Sequence, residues 1–117
     1  MKIAKVKEKM EYLPNSITKR VLFSEEKVLN FVLNLMPGQE IPPHQHENSD
    51  LILYVLEGAG KLTIDEKKQD IIEGDVVYCT GEEMLSLVNN KDNNLSCFVV
   101  ITPRPGLHAY SKEVGEK

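Results

Sequence analysis

Residues that break regular structure recur about every ten positions along this chain, and that rhythm constrains the fold more than any other feature of the sequence. Pro37-Gly38, Pro42-Pro43, Gly58, Gly74, Asp92-Asn93-Asn94 and Pro103 mark the breaks. Between them lie short apolar runs: ITKRVLF (17–23), VLNFVLNLM (28–36), LILYVLEG (51–58), GKLTID (60–65), IIEGDVVYC (71–79), LSLVNN (85–90) and LSCFVVITP (95–103). Several alternate apolar with polar, as strands with one buried face do. SEEK (24–27) and EKKQ (66–69) read as turns. LILYVLEG is apolar without a break and reads as a strand buried on both faces. Pro42 and Pro43 have no N–H to donate, so the chain reaches His44 along a sheet edge or a loop. About eight strands at this spacing predict an antiparallel sandwich or barrel, with room for a helix only over residues 3–12.

The 117 residues suit one domain, and a chain of that length buries roughly two-thirds of its unfolded surface without staples. The expected barrel core is 17–102, preceded by an arm over 1–16 and followed by a polar surface tail over 103–117. Net charge is −4, with Lys and Glu mixed along the polar segments, so no basic stripe is present for nucleic acid. No apolar run reaches the ~18 residues of a membrane span, and MKIAKVKEKMEY lacks the apolar centre of a signal peptide. Cys79 and Cys97 are too few for a disulfide framework and read as buried reduced thiols in a cytoplasmic protein.

The stretch PHQHENSDLILYVLEG carries the chemistry. His44 and His46 are two apart in an extended segment, so both imidazoles face one way, as the first two ligands of a metal site would. This stretch and its flanks resemble the cupin family. The family's first motif is glycine, five residues, His-x-His, three or four residues, glutamate, six residues, glycine. Gly38, His44, His46 and Gly58 match it, and Leu51 stands in the glutamate position. The second motif opens at Gly74 and closes at Asn89, with Thr80 in place of a proline and Leu85 in place of the third histidine. The resemblance covers residues 17–102 and implies an all-β, antiparallel double-stranded β-helix, or jelly-roll barrel.

In cupins with an intact site, three histidines and a glutamate hold one divalent metal inside the barrel. Two of those four positions here are leucine. His44, His46 and Asp50 form a candidate reduced set for Zn²⁺, Ni²⁺, Fe²⁺ or Mn²⁺, with open positions for water or substrate. Asp50 has the opposite parity to Leu51, Leu53 and Val55, so it reaches the metal only if a bulge re-aims it. Cys79 shares a face with Val77 and is a second candidate donor, although a buried setting opposes its thiolate. His108 lies in the tail. Alternatively, the histidine pair contacts a ligand's polar groups and holds no metal.

Phe31, Leu33 and Leu35, with Leu51, Leu53, Cys79 and Leu85, are expected to make the interior apolar. Such an interior is either filled by side chains or holds one small ligand. A mostly apolar molecule with one acidic or hydroxyl group suits it. Ile52, Tyr54 and Leu56 point outward; the resemblance implies a homodimer that covers this face, and the alternative cover within a monomer is the second sheet or the N-terminal segment. Three functions stay open: a small-molecule-binding protein that does no chemistry, a metal-dependent dioxygenase, isomerase or decarboxylase, or a metal-free enzyme with a histidine base.

Overall fold

The computed structural model describes residues 1–104 and 112–115. Nine strands form among them: β1 (Thr18–Ser24), β2 (Leu29–Leu35), β3 (Glu40–His44), β4 (Asp50–Glu57), β5 (Ala59–Ile64), β6 (Lys67–Ile72), β7 (Val76–Cys79), β8 (Leu85–Val88) and β9 (Leu95–Thr102). They make a five-stranded sheet in the order β1-β2-β9-β4-β7 and a four-stranded sheet in the order β3-β8-β5-β6. Every pairing is antiparallel. The core lies between the sheets. Leu29, Leu35, Leu53, Val55, Val99 and Ile101 from the larger sheet meet Leu62, Leu85 and Leu87 from the smaller one. The chain is the antiparallel all-β barrel that the spacing of its turns predicts, and its two sheets make the jelly roll that the family resemblance implies.

Three local readings change. EKKQ is not a turn. The reversal is made by Asp65 and Glu66, with Asp65 at a φ of 55°, and Lys67 already starts β6. This strand lies at a sheet edge and is exposed at every residue but Ile71, so it lacks the apolar alternation that marks a strand. IIEGDVVYC divides into β6 and β7 at Gly74, whose φ of 94° turns the chain. LILYVLEG is buried on one face only. Leu51, Leu53 and Val55 point inward, whereas Ile52 and Tyr54 are exposed.

Gly58 shows why the β4–β5 turn needs glycine. Its φ is 84°, and a Cβ there would sit 2.1 Å from the carbonyl oxygen of Asn94. Any other residue would meet both a left-handed backbone and a collision with main chain.

The arm holds one helical turn, Val6–Lys9, of 3-10 type and no longer helix. It packs across the outer face of β1, β2 and β9 through buried polar groups. Asn34 donates to the Lys9 carbonyl at 2.8 Å and to the Thr18 hydroxyl at 2.9 Å. The Tyr12 hydroxyl meets Ser96 at 2.5 Å and donates to Glu57 at 2.8 Å. With Asn34, Thr18 and Ser96 all buried, these bonds spare each polar group the cost of losing water without a partner. The arm leaves Tyr54, Val76 and Tyr78 exposed at the β4–β7 end of the same outer face.

Part of the tail is held to β1, although Lys112, Glu113 and Val114 stay exposed. Val114 exchanges two backbone hydrogen bonds with Lys19, at 2.9 and 3.2 Å. The Arg20 guanidinium donates to the carbonyls of Val114 and Gly115 at 2.8 and 2.5 Å. A backbone clasp of this kind has no side-chain signature in the tail itself. No helix among the described residues is long and apolar enough to cross a membrane.

Candidate functional site

The two prolines bring β3 in as an edge strand beside β8, and the register slips between Ile41 and His44. His44 closes the strand opposite Leu85. His46 follows in a turn closed by the Ser49 N–H donating to the His46 carbonyl at 3.0 Å. Gly81 packs against this turn so tightly that a Cβ would fall 2.4 Å from the His46 carbonyl oxygen. The turn is thereby fixed from outside, and the His46 ring is directed inward.

The rings of His44 and His46 meet edge to face, with centroids 4.6 Å apart. His44 Nδ1 lies 2.9 Å from the Pro42 carbonyl, which can only accept, so Nδ1 carries the proton and Nε2 is the acceptor of the neutral ring. His46 is only 5% exposed. Burial pushes its pKa down to about 4, with smaller effects from the nearby charges of His44 and Lys19. It is a neutral imidazole at physiological pH.

Both histidines line a cavity of about 310 Å³ between the sheets. Phe31, Leu33, Leu51, Leu53 and Leu85 form much of its wall, as do Ile41, Leu87 and Val99. The barrel is therefore not filled by its own side chains. Leu35 and Cys79, expected in the wall, are instead packed in the core beside it. The Cys79 thiol reaches the Thr80 carbonyl at 3.5 Å, and burial pushes its pKa up to about 11, so it carries no thiolate at neutral pH.

Asp50 does not join the histidines. It starts β4 with its side chain on the outer face, where Oδ2 accepts from the Tyr78 hydroxyl at 2.8 Å. There it lines a separate, more polar hollow of about 640 Å³ with Glu47 and Glu82. The turn before β4 has no bulge that reverses its parity, and Leu51 takes the inward position. His108 lies outside the described residues.

Besides the two histidines, the one ionisable side chain in the cavity wall among the described residues is Lys19. It enters from β1 between Ile17 and Val21, which pack on the core, and its Nζ stands 4.4 Å from the centroid of the Phe31 ring. Burial lowers its pKa to about 8, so the ammonium form still dominates at neutral pH. The alternation of Ile17, Lys19 and Val21 places the lysine on the apolar face, and that parity was the signal available in the sequence. Val114 of the docked tail completes this side of the wall and had no comparable signal.

A resident divalent metal does not fit these residues. Two imidazoles bring no negative charge, Leu51 and Leu85 offer no donor, and the Lys19 ammonium adds a charge of the wrong sign. No cluster of three or more His, Cys, Asp or Glu side chains suited to a metal occurs among the described residues.

Comparisons with known proteins agree with this fold. An uncharacterized protein of Methanocaldococcus jannaschii is 43% identical over 41 residues, which are 35% of this chain and 33% of that protein, so the match spans about a third of that curated relative. A crystal structure of a Thermus thermophilus protein superposes with a TM-score of 0.84 at 28% identity, covering 90% of this chain and 100% of that one. An RmlC-like cupin with a double-stranded β-helix, also from Methanocaldococcus jannaschii, gives 0.70 at 26% identity over 81% of this chain and 89% of its own. The model of the cupin domain matches residues 31–101, from Phe31 in β2 to Ile101 in β9, and the chain belongs to the cupin family.

Proposed function

We propose that this cupin binds a small, mostly apolar molecule inside the barrel and holds it by one polar end, without a resident metal. The observation that carries this reading is the replacement of two ligand positions by leucines that line an open cavity. Leu51 and Leu85 face the same 310 Å³ space as His44 and His46. That volume sits at the lower end of the ~300–1,000 Å³ range of ligand pockets, so the molecule is small. An apolar wall supplies affinity through area removed from water, at roughly 25 cal/mol per Å² before the costs of association. The imidazoles supply the few directed hydrogen bonds that orient a ligand. The metal-dependent reading needs Asp50 beside the histidines, and the geometry that turns Asp50 outward favours binding instead.

Benzamide, with an apolar ring and one neutral polar end, is a suitable probe. Titrated into protein with labelled leucine methyls, it should shift Leu51, Leu53 and Leu85 in a saturable manner. Leu85→Trp, which fills the cavity, should abolish the response while the fold persists. Methyl resonances that stay unmoved in the wild type up to the solubility limit of benzamide would overturn the reading.

A further inference from the structure

Among the described residues the cavity wall contains no carboxylate, and Lys19 is its only lysine or arginine. The ammonium is held over the face of Phe31, itself 4% exposed, so it is fixed in place. Its backbone is clamped on both sides. Lys19 pairs with Leu33 on β2 and exchanges two hydrogen bonds with Val114. Lys19 also lies near enough to His46 for its charge to add a small push to the burial that keeps that imidazole neutral. A fixed cation beside a neutral donor-acceptor ring, with apolar walls beyond, forms an electrostatic counterpart to a carboxylate on an apolar body.

We propose that Lys19 selects the ligand, and that the natural ligand class is a small carboxylic acid with an apolar body, bound as its anion. This rests on the reading that the barrel cavity binds a small molecule, and adds the group that sets its specificity. In the cupins that the sequence resembles, a divalent metal supplies the positive charge within the barrel. Here a lysine from β1 supplies it, which accounts for how the cavity can keep a polar end after losing two metal-ligand positions. An anion beside a buried ammonium gains a charge-assisted hydrogen bond that a neutral analogue of the same shape lacks.

The test compares benzoate with benzamide, which match in shape and differ in charge, on the full chain at pH 7. The wild type should bind benzoate at least about tenfold more tightly than benzamide. Lys19→Met keeps the length and apolar character of the side chain. It should bring the two dissociation constants within about threefold of each other. Lys19→Arg, which keeps the charge, should retain the preference. If the wild type binds benzamide but shows no preference for benzoate, the role of Lys19 is refuted while the cavity reading stands. A preference that survives in Lys19→Met refutes it equally. Failure of the wild type to bind either probe overturns the cavity reading and this one with it. Thermal melts of both variants establish that they are folded, and if Lys19→Met does not fold, the Lys19→Gln variant carries the same comparison.

Discussion

His46 should make this protein sensitive to acid over a defined window. The perturbation is a fall in pH from 7 to 4.5, compared between the wild type and His46→Gln, whose side chain does not titrate in that range. In the unfolded chain the imidazole titrates near its usual 6.5, whereas in the fold burial, then His44 and Lys19, hold it at about 4. A base whose folded pKa is lowered binds fewer protons in the native state. Above pH 6.5 neither state is protonated and nothing is lost. Between 6.5 and 4 the unfolded state takes up a proton that the native state refuses, so stability falls with pH. At pH 4.5 the two titrations differ by about 2.5 kcal/mol, and the loss approaches about 3.4 kcal/mol at lower pH.

Urea unfolding at half-unit pH intervals measures this directly, with the slope m checked for constancy. Carboxylates titrate in both proteins, so the informative quantity is the difference between the two pH profiles. The wild type should lose about 2 to 3 kcal/mol more than His46→Gln between pH 7 and 4.5, with most of the divergence below pH 6. Profiles that run parallel through this window would show that His46 accepts a proton in the fold as readily as in water, and the buried neutral imidazole would be refuted.

Two further outcomes test the frame around the site. Gly58→Ala should destabilise by about 3 kcal/mol or more, because it sets a Cβ against the Asn94 carbonyl in a left-handed backbone; a melting temperature within a few degrees of wild type would refute the close approach. The exposed face of Ile52, Tyr54, Val76 and Tyr78 is the surface that the implied homodimer would bury, so Tyr54→Glu should shift sedimentation from dimer to monomer, and a wild type that sediments as a monomer would remove the dimer altogether.

The fold was legible in the sequence because turns cannot be disguised: Gly58 and Gly74 bound strands where the chain must adopt positive φ. Two of the three local errors fall at sheet edges, in EKKQ and in the run that spans β6 and β7, because β6 is almost wholly exposed and lacks the apolar alternation from which strands are read. The third, LILYVLEG, lies on the inner strand β4, whose outward apolar residues look like a second buried face. The site divides the same way. Parity places Leu51, Leu53, Phe31 and Leu33 on the inner face, and the structure puts all four in the cavity wall. Parity also turns Asp50 outward, and the Tyr78 hydrogen bond keeps it there. Lys19 obeys the same parity but is easily passed over, because a lysine among Thr18 and Arg20 reads as a solvated run. In fact Thr18 and Arg20 face the arm and the tail, and only Lys19 faces the cavity. Val114 reaches the site through a contact almost a hundred residues away in the chain, which no local pattern encodes.

Restoring the family's ligands tests the electrostatic reading of the cavity, and it requires attention to Lys19. Leu51→Glu with Leu85→His places a carboxylate and a third imidazole opposite His44 and His46, since both leucines already line the wall. Four donors of this kind should bind Zn²⁺ several kcal/mol more tightly than the wild type. Yet the Lys19 ammonium remains in the same wall, and at several ångströms a unit charge opposes a dication by about 2 kcal/mol even under strong screening. It can also pair with the new glutamate and draw it away from the metal. Adding Lys19→Met to the double variant should therefore raise Zn²⁺ affinity by a further tenfold or more, roughly, as read by competition with a chromophoric chelator. Equal affinities in the double and triple variants would show that the lysine charge is not felt where the imidazoles converge. No gain in either would mean that Leu51 and Leu85 do not face the histidine pair closely enough to complete a coordination shell.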